Sequence, residues 1–528
     1  MKHKLPSLVL LLTLLAGVTL FTSSIPSAAS YQTIKRLTLD ERRGQTIYRR
    51  GESPNGKTIV ARVGELEVPA SSLPCANCHG FHGEGLTEGG ISAGGLKWSE
   101  LTQPNGHAHE TGRKHKPFDD RSVARATSDC IDPSGNKLLS AMPCYQLAPQ
   151  DMTDLIAYLK RLETETEPGI TAKEITIATM IPMEGALAPS GLAMRAALNA
   201  YFQELNSSGG IHQRTVALRF IEMVSNREVT ISNLQGAMET DEVFAIIGGV
   251  MAGVDKEAFG LAQSWKVPII GLITLLPEEG DNRYVFYFSP GMKDQARALV
   301  NFAAAKPDAK KSKLLVVYPE GILAKESADA IETQAQKLNW NVERKSYAGA
   351  VAAKLVEQLK GEPANAVFFL GSADETAAFL KEAALVNWTP KVLLLSTSIR
   401  NAASVPKEFK DRVFIAFPTI PADVSASAAG EYRSLREKYK LPEERLASQL
   451  AALAAAKVFV AAANKVGPEL NREKFVNTLE TLNNFETGLT HEITFGPRRR
   501  IGARGAYVVT VDVEKGSLST VTGWVEAN

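Results

Sequence analysis

The chain has 528 residues, of which 44% are hydrophobic and 22% charged, the balance of an ordinary globular protein. This length exceeds what one hydrophobic core normally supports, so we expect more than one domain. The formal net charge is +1. Without a basic excess the composition argues against a nucleic-acid partner, and without an acidic excess it argues against a disordered, solvating chain.

The N-terminus has the layout of a secretory signal. Residues 2–4 are basic, the apolar run "LVLLLTLLAGVTLF" follows, and "SIPSAAS" supplies small residues, with Ser27 and Ala29 suited to a cleavage site. We predict a signal peptide over residues 1–29, cleaved after Ala29, and a periplasmic protein. An uncleaved membrane anchor is the alternative, because the apolar run is nearly long enough to span a bilayer. We expect no later segment to be apolar for long enough to cross a membrane.

The stretch "CANCH" carries two thiols and an imidazole in the CxxCH pattern, at Cys75, Cys78 and His79. A zinc site would need two further ligands at suitable spacing, and a thioredoxin-like site would need a βαβ setting. Neither surrounds the motif. In an exported protein the pattern predicts covalent haem, with Cys75 and Cys78 as thioether anchors and His79 as the proximal iron ligand.

Helical patterns flank this motif. Thr38 and Glu41 predict a capping box at the start of one helix, in which Gly44 and Tyr48 share a face where a small residue allows close helix crossing. Downstream, apolar residues recur at the i, i+3, i+4, i+7 spacing of an amphipathic helix, at Met152, Leu155, Ile156 and Leu159.

The two remaining cysteines are Cys130 and Cys144. An even remainder in an oxidising compartment predicts a disulfide between them, closing a short loop around Met142. The alternative is two buried free thiols.

Residues 36–163 resemble a class I c-type cytochrome. The matching pieces are "GQTIYRRG", "CANCHGFHGEG", "AMPCY" and "DLIAYLKRL". The resemblance implies a small all-α domain with one covalently attached haem c. It also implies that Met142, which precedes Pro143 and the last helix, is the distal iron ligand. A six-coordinate iron of this kind suits electron transfer.

Other side chains compete for the distal position, namely His82, His107, His109, His115 and Met152. We interpret the histidines as solvated residues of a glycine- and histidine-rich loop. Met152 lies on a helix face, where core packing is its expected role. One departure from the family pattern is Cys144, which follows Pro143 directly.

A polar stretch with Pro168 and Gly169 predicts an interdomain linker over residues 164–172. Beyond it, β-branched strands alternate with amphipathic helices, predicted over 255–264, 321–338 and 373–386. This alternation predicts βαβ units with parallel sheets covered on both faces, and its length favours two lobes. No nucleotide-binding or nucleophile-elbow motif accompanies the strands.

Residues 173–528 resemble a type I periplasmic binding protein of the branched-chain amino-acid receptor group. The resemblance rests on "ATMIPMEGALAPSG", "FAIIGGVMAGV", "VPIIGLITLLP" and "FETGLTHEITFGPRRRIGARGAYVV". It implies two α/β lobes that close on a small solute, with an ABC-type importer as a partner. The expected lobes are 173–290 with 418–480, and 291–417 with 481–528.

The same resemblance implies which residues line the cleft between the lobes. They are Ser190, Met251, Ala252 and Thr274 from the first lobe, with Tyr318 and the loop 372–375 from the second. In amino-acid-binding members a hydroxyl in the second loop helps to bind the ligand carboxylate. Met251 and Ala252 occupy that loop here, which argues against an α-amino acid and for a less polar solute.

Three functions are consistent with this combination. We favour an exported cytochrome that transfers single electrons to or from a redox partner and also binds a solute. The first alternative is the receptor of an ABC-type importer with the haem as a redox sensor. The second is an enzyme that oxidises the bound solute through the haem, which is disfavoured because His79 and Met142 leave no open iron position.

Overall fold

The helical N-terminal part of the chain and the alternating strands and helices that follow it fold into separate units. The computed structural model describes residues 37–527 except 89, 110–111, 166, 240–242, 252, 279, 281, 308–312, 350–351 and 363. Unit one ends at Glu165 and unit two begins at Thr166. The predicted signal peptide lies outside the described residues.

Unit one is built from helices joined by short antiparallel strands. Its helices are α1 (Leu39–Arg50), α2 (Cys75–His79), α3 (Trp98–Leu101), α4 (Asp120–Asp129) and α5 (Pro149–Leu162). Its strands are β1 (Val60–Val63), β2 (Leu66–Pro69), β3 (Thr87–Glu88), β4 (Ile91–Ser92), β5 (His107–Ala108), β6 (Lys114–His115) and β7 (Cys144–Gln146).

The predicted capping box of α1 is confirmed. The Thr38 hydroxyl accepts the Glu41 backbone N–H (3.3 Å), and the Glu41 carboxylate accepts the Thr38 backbone N–H (2.7 Å). These bonds satisfy donors that a helix start leaves unpaired. The helix ends at Gly51, whose φ of 65° is in the left-handed region.

Helices α1 and α5 cross closely at Gly44. A Cβ at this position would lie 1.9 Å from the backbone oxygen of Asp154, so only glycine fits. Next to the crossing, the Arg43 guanidinium donates to the buried carboxylate of Asp154 at 2.7 and 3.0 Å. The rings of Tyr48 and Tyr158 pack 5.5 Å apart in the same core. This crossing fixes the helical frame of unit one.

A three-stranded antiparallel sheet joins distant parts of unit one. Strand β1 pairs with β2 in a hairpin and with β7 on its other side, with Ala61 opposite Tyr145. These short strands supplement the predicted helical frame, and no hydrophobic period in the sequence indicates them. They bring the segment after Met142 against the segment before the CxxCH motif.

Unit two has the predicted alternation of strands and helices. Its helices are α6 (Ala188–Ser207), α7 (Arg227–Glu239), α8 (Asp255–Trp265), α9 (Met292–Ala304), α10 (Ile322–Lys337), α11 (Ala352–Leu359), α12 (Ala373–Leu385), α13 (Ala426–Tyr439), α14 (Leu446–Val466) and α15 (Arg472–Leu479). Its strands are β8 (Glu174–Pro182), β9 (Thr215–Met223), β10 (Ile246–Gly249), β11 (Ile269–Ile270), β12 (Val285–Phe286), β13 (Lys313–Pro319), β14 (Val342–Tyr347), β15 (Ala364–Phe369), β16 (Lys391–Leu395), β17 (Val413–Phe417), β18 (Gly505–Asp512) and β19 (Ser517–Glu526).

The first lobe contains a parallel sheet whose described strands are ordered β12-β11-β10-β8-β9. One hydrophobic core surrounds it and includes residues of α6, α7, α8, α13, α14 and α15. The second lobe contains a sheet ordered β14-β13-β15-β16-β17-β18-β19, parallel as far as β17. Strands β18 and β19 extend it in antiparallel orientation. The predicted fold class is confirmed.

Two predicted boundaries are wrong, the end of the linker by a few residues and the second change of lobe by more than twenty. Within the predicted linker, Glu167 pairs with the buried Arg472 and Ile170 packs in the core of the first lobe, so the chain has already joined that lobe. The expected change of lobe at residue 481 also comes too early. Leu482 and Ile501 still belong to the core of the first lobe, and the chain enters the second sheet only at Gly505.

One described helix satisfies the length and composition of a membrane span. Helix α14 has a mean hydropathy of 1.7 over its most apolar window, 56% of which is buried within the protein. The expectation that no later segment is long and apolar enough is therefore wrong. Its alanine-rich surface packs inside the first lobe, as in a core helix.

We expect Gly44→Ala to loosen unit one, because its methyl group would displace the Asp154 backbone. Overpacking of this kind costs about 1–3 kcal/mol. Native-state hydrogen exchange of α1 and α5 amides should accelerate roughly 10- to 100-fold. Gly260→Ala is the control, since Gly260 is an exposed helical residue where an added methyl group would have no atom within 4 Å. Equal exchange in both variants would contradict the close crossing.

Candidate functional sites

The CxxCH motif forms the short helix α2. Pro74 precedes it in extended conformation, and Gly80, with a φ of 80°, ends it. Residues three and four apart on a helix share a face, so the side chains of Cys75, Cys78 and His79 lie on one side. The Cys75 side chain is partly buried and the Cys78 side chain is exposed.

His79 is buried and its ring orientation is fixed by one hydrogen bond. Its Nδ1 lies 2.8 Å from the backbone oxygen of Gly94. Because a carbonyl oxygen only accepts, Nδ1 carries the proton and Nε2 keeps a free lone pair. Burial lowers the pKa of His79, which favours the neutral ring. A neutral imidazole that donates its one N–H to an acceptor and keeps the other nitrogen free is the form that binds a metal.

Cys75 lies at the junction of the motif and the strand after Met142. Desolvation raises the pKa of its partly buried thiol to about 12. The Tyr145 hydroxyl lies beside this thiol and donates to the backbone oxygen of Leu73 at 2.6 Å. This bond joins residues 72 positions apart in the chain.

Met142 lies in a loop that is restrained on both sides. Cys130 and Cys144 form a disulfide whose Cα atoms are 5.5 Å apart. Strand β7 then pairs with β1. The Met142 side chain is partly buried and packs against the core of unit one, as does Cys75. These residues fit a covalent haem by their chemistry, since they supply two thiols, one neutral imidazole and one thioether.

The loop histidines form a cluster. The ring centroids of His107, His109 and His115 lie 4.6–6.0 Å apart, across the β5–β6 hairpin. The Arg113 guanidinium donates to His109 Nε2 at 2.8 Å, which occupies that lone pair. The interpretation as solvated residues is wrong for His115, which is buried. Among described residues, no group of three histidine, cysteine or acidic side chains is arranged to hold a metal ion.

In unit two, the predicted ligand loops follow the carboxyl ends of the first-lobe strands. Ser190 lies in the first turn of α6, after β8. Thr274 follows β11, and its hydroxyl donates to the Asp255 carboxylate at the start of α8. Gly249, with a φ of 88°, ends β10, and a Cβ there would lie 2.1 Å from the Met180 oxygen. The loops thus start at one edge of the sheet.

Met251 and Ala252 are the two cleft residues predicted in the loop after β10. Met251 is fully buried in the core of the first lobe, so the prediction that its side chain faces the cleft is wrong. It turns inward because its backbone N–H bonds to the Ile273 oxygen (3.0 Å), which closes the loop onto its neighbour. Ala252 lies outside the described residues.

In the second lobe, most polar side chains predicted to line the cleft are bonded to other residues of that lobe. Tyr318 lies near the carboxyl end of β13. Its hydroxyl accepts a hydrogen bond from Arg344 at 3.2 Å, and its ring packs under the Arg344 guanidinium. In the loop 372–375, Ser372 caps α12 together with Glu375. Asp374 pairs with Arg400 at 2.9 Å. These polar groups mainly hold their own lobe together.

The residues 174–517 match the family model described as periplasmic binding protein. The chain belongs to the periplasmic binding protein family. The cytochrome c model matches residues 55–163, so this family member carries an N-terminal cytochrome c domain. Unit two is a solute-binding domain of the ABC-transporter type, and both families are typically exported to the periplasm.

Relatives of this binding protein resemble its C-terminal part. A "Leu/Ile/Val-binding protein homolog 7" of Brucella abortus (strain 2308) is 23% identical over 232 residues, which is 42% of this chain and 58% of that protein. The chain thus spans less than two thirds of the length of the curated relatives it matches. A branched-chain amino acid ABC transporter protein from Thermus thermophilus, solved with bound valine, is 16% identical with a TM-score of 0.55. The alignment covers 68% of this chain and 97% of that one.

A second solved structure has a different named ligand class. The fatty acid ABC transporter substrate-binding protein from Thermomonospora curvata is 19% identical, with a TM-score of 0.54. The match covers 69% of this chain and 95% of that one. At these identities the similarity shows the fold alone.

Several residues that orient other side chains in unit one could not be identified from the sequence. Gly94 holds His79 through a backbone oxygen, which no residue type reveals. Tyr145 is the last residue of the quoted "AMPCY" segment, but its contact with Leu73 depends on strand pairing. Arg113 orients His109 from across a hairpin. Only Tyr145 had a signal in the sequence, through the family motif.

We expect the His109 imidazole to titrate with a pKa of about 4, below its ordinary 6.5, because burial and then the Arg113 guanidinium disfavour the charged ring. Since the unfolded-state pKa is higher, the neutral ring stabilises the fold fully above pH 6.5, and this contribution is lost as pH falls toward 4. Histidine-selective NMR titration measures the pKa. Arg113→Gln should raise it, whereas Lys116→Gln should leave it unchanged. A wild-type value near 6.5 would refute the assignment.

Proposed function

We propose that the protein is an exported c-type cytochrome that exchanges single electrons through one haem c. Cys75 and Cys78 attach the haem, His79 is the proximal iron ligand and Met142 the distal one. The second unit binds a small solute in its cleft. The observation that carries the proposal is the buried, neutral His79, whose Nε2 lone pair is kept free by the bond from Nδ1 to Gly94.

The surrounding residues of unit one support this assignment by holding the ligands in place. The Tyr48 hydroxyl donates to the Gly80 oxygen at 2.7 Å, which fixes the end of α2. The Cys130–Cys144 disulfide and strand β7 restrain the Met142 loop. When bound, haem supplies one-electron exchange, and a rigid ligand set keeps the structural change between redox states small.

Solute binding is supported by the family of unit two and by its fold. Its structural relatives include proteins named for valine and fatty-acid ligands. In α/β sheets of this kind, ligands bind outside the carboxyl ends of the strands. We assign the site to that edge, where Ser190 and Thr274 lie. No catalytic residue is assigned, because His79 and Met142 together close the iron to substrate.

A second candidate function is an importer receptor whose haem reports redox state. It is favoured by the match of unit two to receptors of the ABC-transporter type. The two candidates differ in one measurable quantity, the solute affinity with oxidised and with reduced haem. A sensor requires that affinity to change with the redox state, whereas independent electron transfer does not.

The cofactor and export are tested together by intact-mass spectrometry. In a host able to attach haem, we expect the mature chain to begin at Ser30 and to weigh one haem more than its polypeptide. A Cys75→Ala, Cys78→Ala double variant should lack this added mass, because both thioether bonds are lost. A wild-type mass equal to the bare chain would sink the cytochrome assignment, and a retained N-terminus would favour the membrane anchor.

The distal ligand is tested by a pair of methionine variants. We expect Met142→Ala to lose the sulfur-to-iron charge-transfer band and to lower the reduction potential, because thioether ligation stabilises the reduced iron. Met152→Ala is the matched control, since Met152 packs against the same core from α5. It should keep both the band and the potential. The reverse result would make Met152 the ligand.

A further inference from the structure

Large apolar side chains are exposed in loops that follow the carboxyl ends of the parallel strands. In the first lobe they are Leu187 after β8, and Ile273 and Leu275 after β11. In the second lobe they are Ile322 and Leu323, at the start of α10 after β13. Ile322 is 78% exposed and Leu275 is 43% exposed. Single exposed leucines are ordinary, but all five of these side chains lie in loops after carboxyl strand ends, where ligands bind in α/β folds.

The loop that carries Leu275 lies where the lobes join. The Leu275 backbone oxygen accepts the N–H of Met292 at 2.8 Å, at the first residue of α9 in the second lobe. The parallel strand order places the loop after β8 and the loop after β11 at the same edge of the first sheet. Apolar groups at this edge therefore face the space between the lobes.

Acidic groups in the loops after the carboxyl strand ends of both lobes are already bonded within their own lobe. Glu184 accepts the backbone N–H and the hydroxyl of Ser225 at 2.8 and 2.5 Å. Asp255 accepts the Thr274 hydroxyl. Asp374 pairs with Arg400, as described above. A zwitterionic ligand would have to compete with these bonds, whereas an apolar ligand leaves them intact.

From this arrangement we propose that the cleft takes an uncharged, predominantly apolar organic solute rather than an α-amino acid. The inference rests on the proposed receptor function of unit two. Leu187, Ile273 and Leu275 contact the solute from the first lobe, and Ile322 and Leu323 cover it from the second as the lobes close. Specificity then comes from size and shape, since apolar contacts are non-directional.

The competing hypothesis is that the cleft binds an α-amino acid. Its ammonium group would need an acidic partner at the cleft, and Glu320, exposed directly after β13, is positioned for that role. Glu320→Gln therefore tests charged recognition. Loss of affinity in this variant separates an amino-acid receptor from an apolar one.

The experiment is isothermal titration calorimetry on the full-length haem-loaded protein. One probe series is the straight-chain alcohols from 1-butanol to 1-decanol, and the other is leucine, valine and phenylalanine. We expect the alcohols to bind with affinity rising about fourfold per methylene, until the cleft is filled, and with a negative heat-capacity change. Leucine, valine and phenylalanine should show no binding.

Variants locate the binding. Leu275→Ser and Ile322→Ser should each weaken the best alcohol by at least about tenfold. Leu385→Ser is the control, because Leu385 is 68% exposed at the far end of α12, which begins at the carboxyl end of β15. It should bind as wild type. All three side chains are exposed, so the substitutions leave the cores intact.

The contrary results distinguish three parts of the proposal, namely the ligand class, the binding surface and the receptor function. Amino-acid binding that Glu320→Gln weakens overturns the apolar ligand but supports the receptor function. Alcohol binding that is equal in Leu275→Ser, Ile322→Ser and Leu385→Ser overturns the assigned surface. Binding by neither series overturns the apolar ligand and counts against the receptor function as well.

Discussion

The parallel sheets of unit two are covered by helices on both faces, and this burial determines where function can reside. Successive residues of β13 alternate between two cores: Leu314 and Val316 face one, and Leu315 and Val317 face the other. Such strands have no accessible face, so only their ends and the following loops meet solvent. Apolar side chains in those loops, such as Ile322, are not required by any core. They lie at the edge of the sheet where this architecture places ligands, which is the surface that the proposed apolar cleft uses.

Unit one meets a different constraint, since a short chain has to hold the proposed iron ligands in register. The crossing of α1 and α5 at Gly44 provides the frame. Backbone oxygens then do the fine positioning: Gly94 orients His79, and Leu73 holds Tyr145 against the attachment motif. The disulfide restrains the loop of Met142. Each of these contacts restrains a proposed ligand or its neighbour, as residues around a metal site do when they orient the ligands.

The two units use opposite physical strategies. Unit one buries a neutral imidazole beside a partly buried and an exposed thiol, which suits the permanently attached cofactor that we propose. Unit two leaves apolar groups exposed on two lobes, which suits the proposed capture of a solute by closure of the lobes. Electron exchange favours rigidity and solute capture favours a hinge. Separate folds in one chain allow both without compromise.

Motif and periodicity determined much of this protein. The CxxCH spacing at Cys75, the capping box at Thr38 and the strand–helix alternation each depend on neighbours in sequence, and family resemblance supplied both fold classes. Tertiary structure decided what depends on contacts between distant segments. It buried Met251, paired Glu167 of the predicted linker with Arg472, and brought His107, His109 and His115 together across a hairpin. Residue type and spacing do not reveal such contacts, because packing and strand pairing determine which distant residues meet.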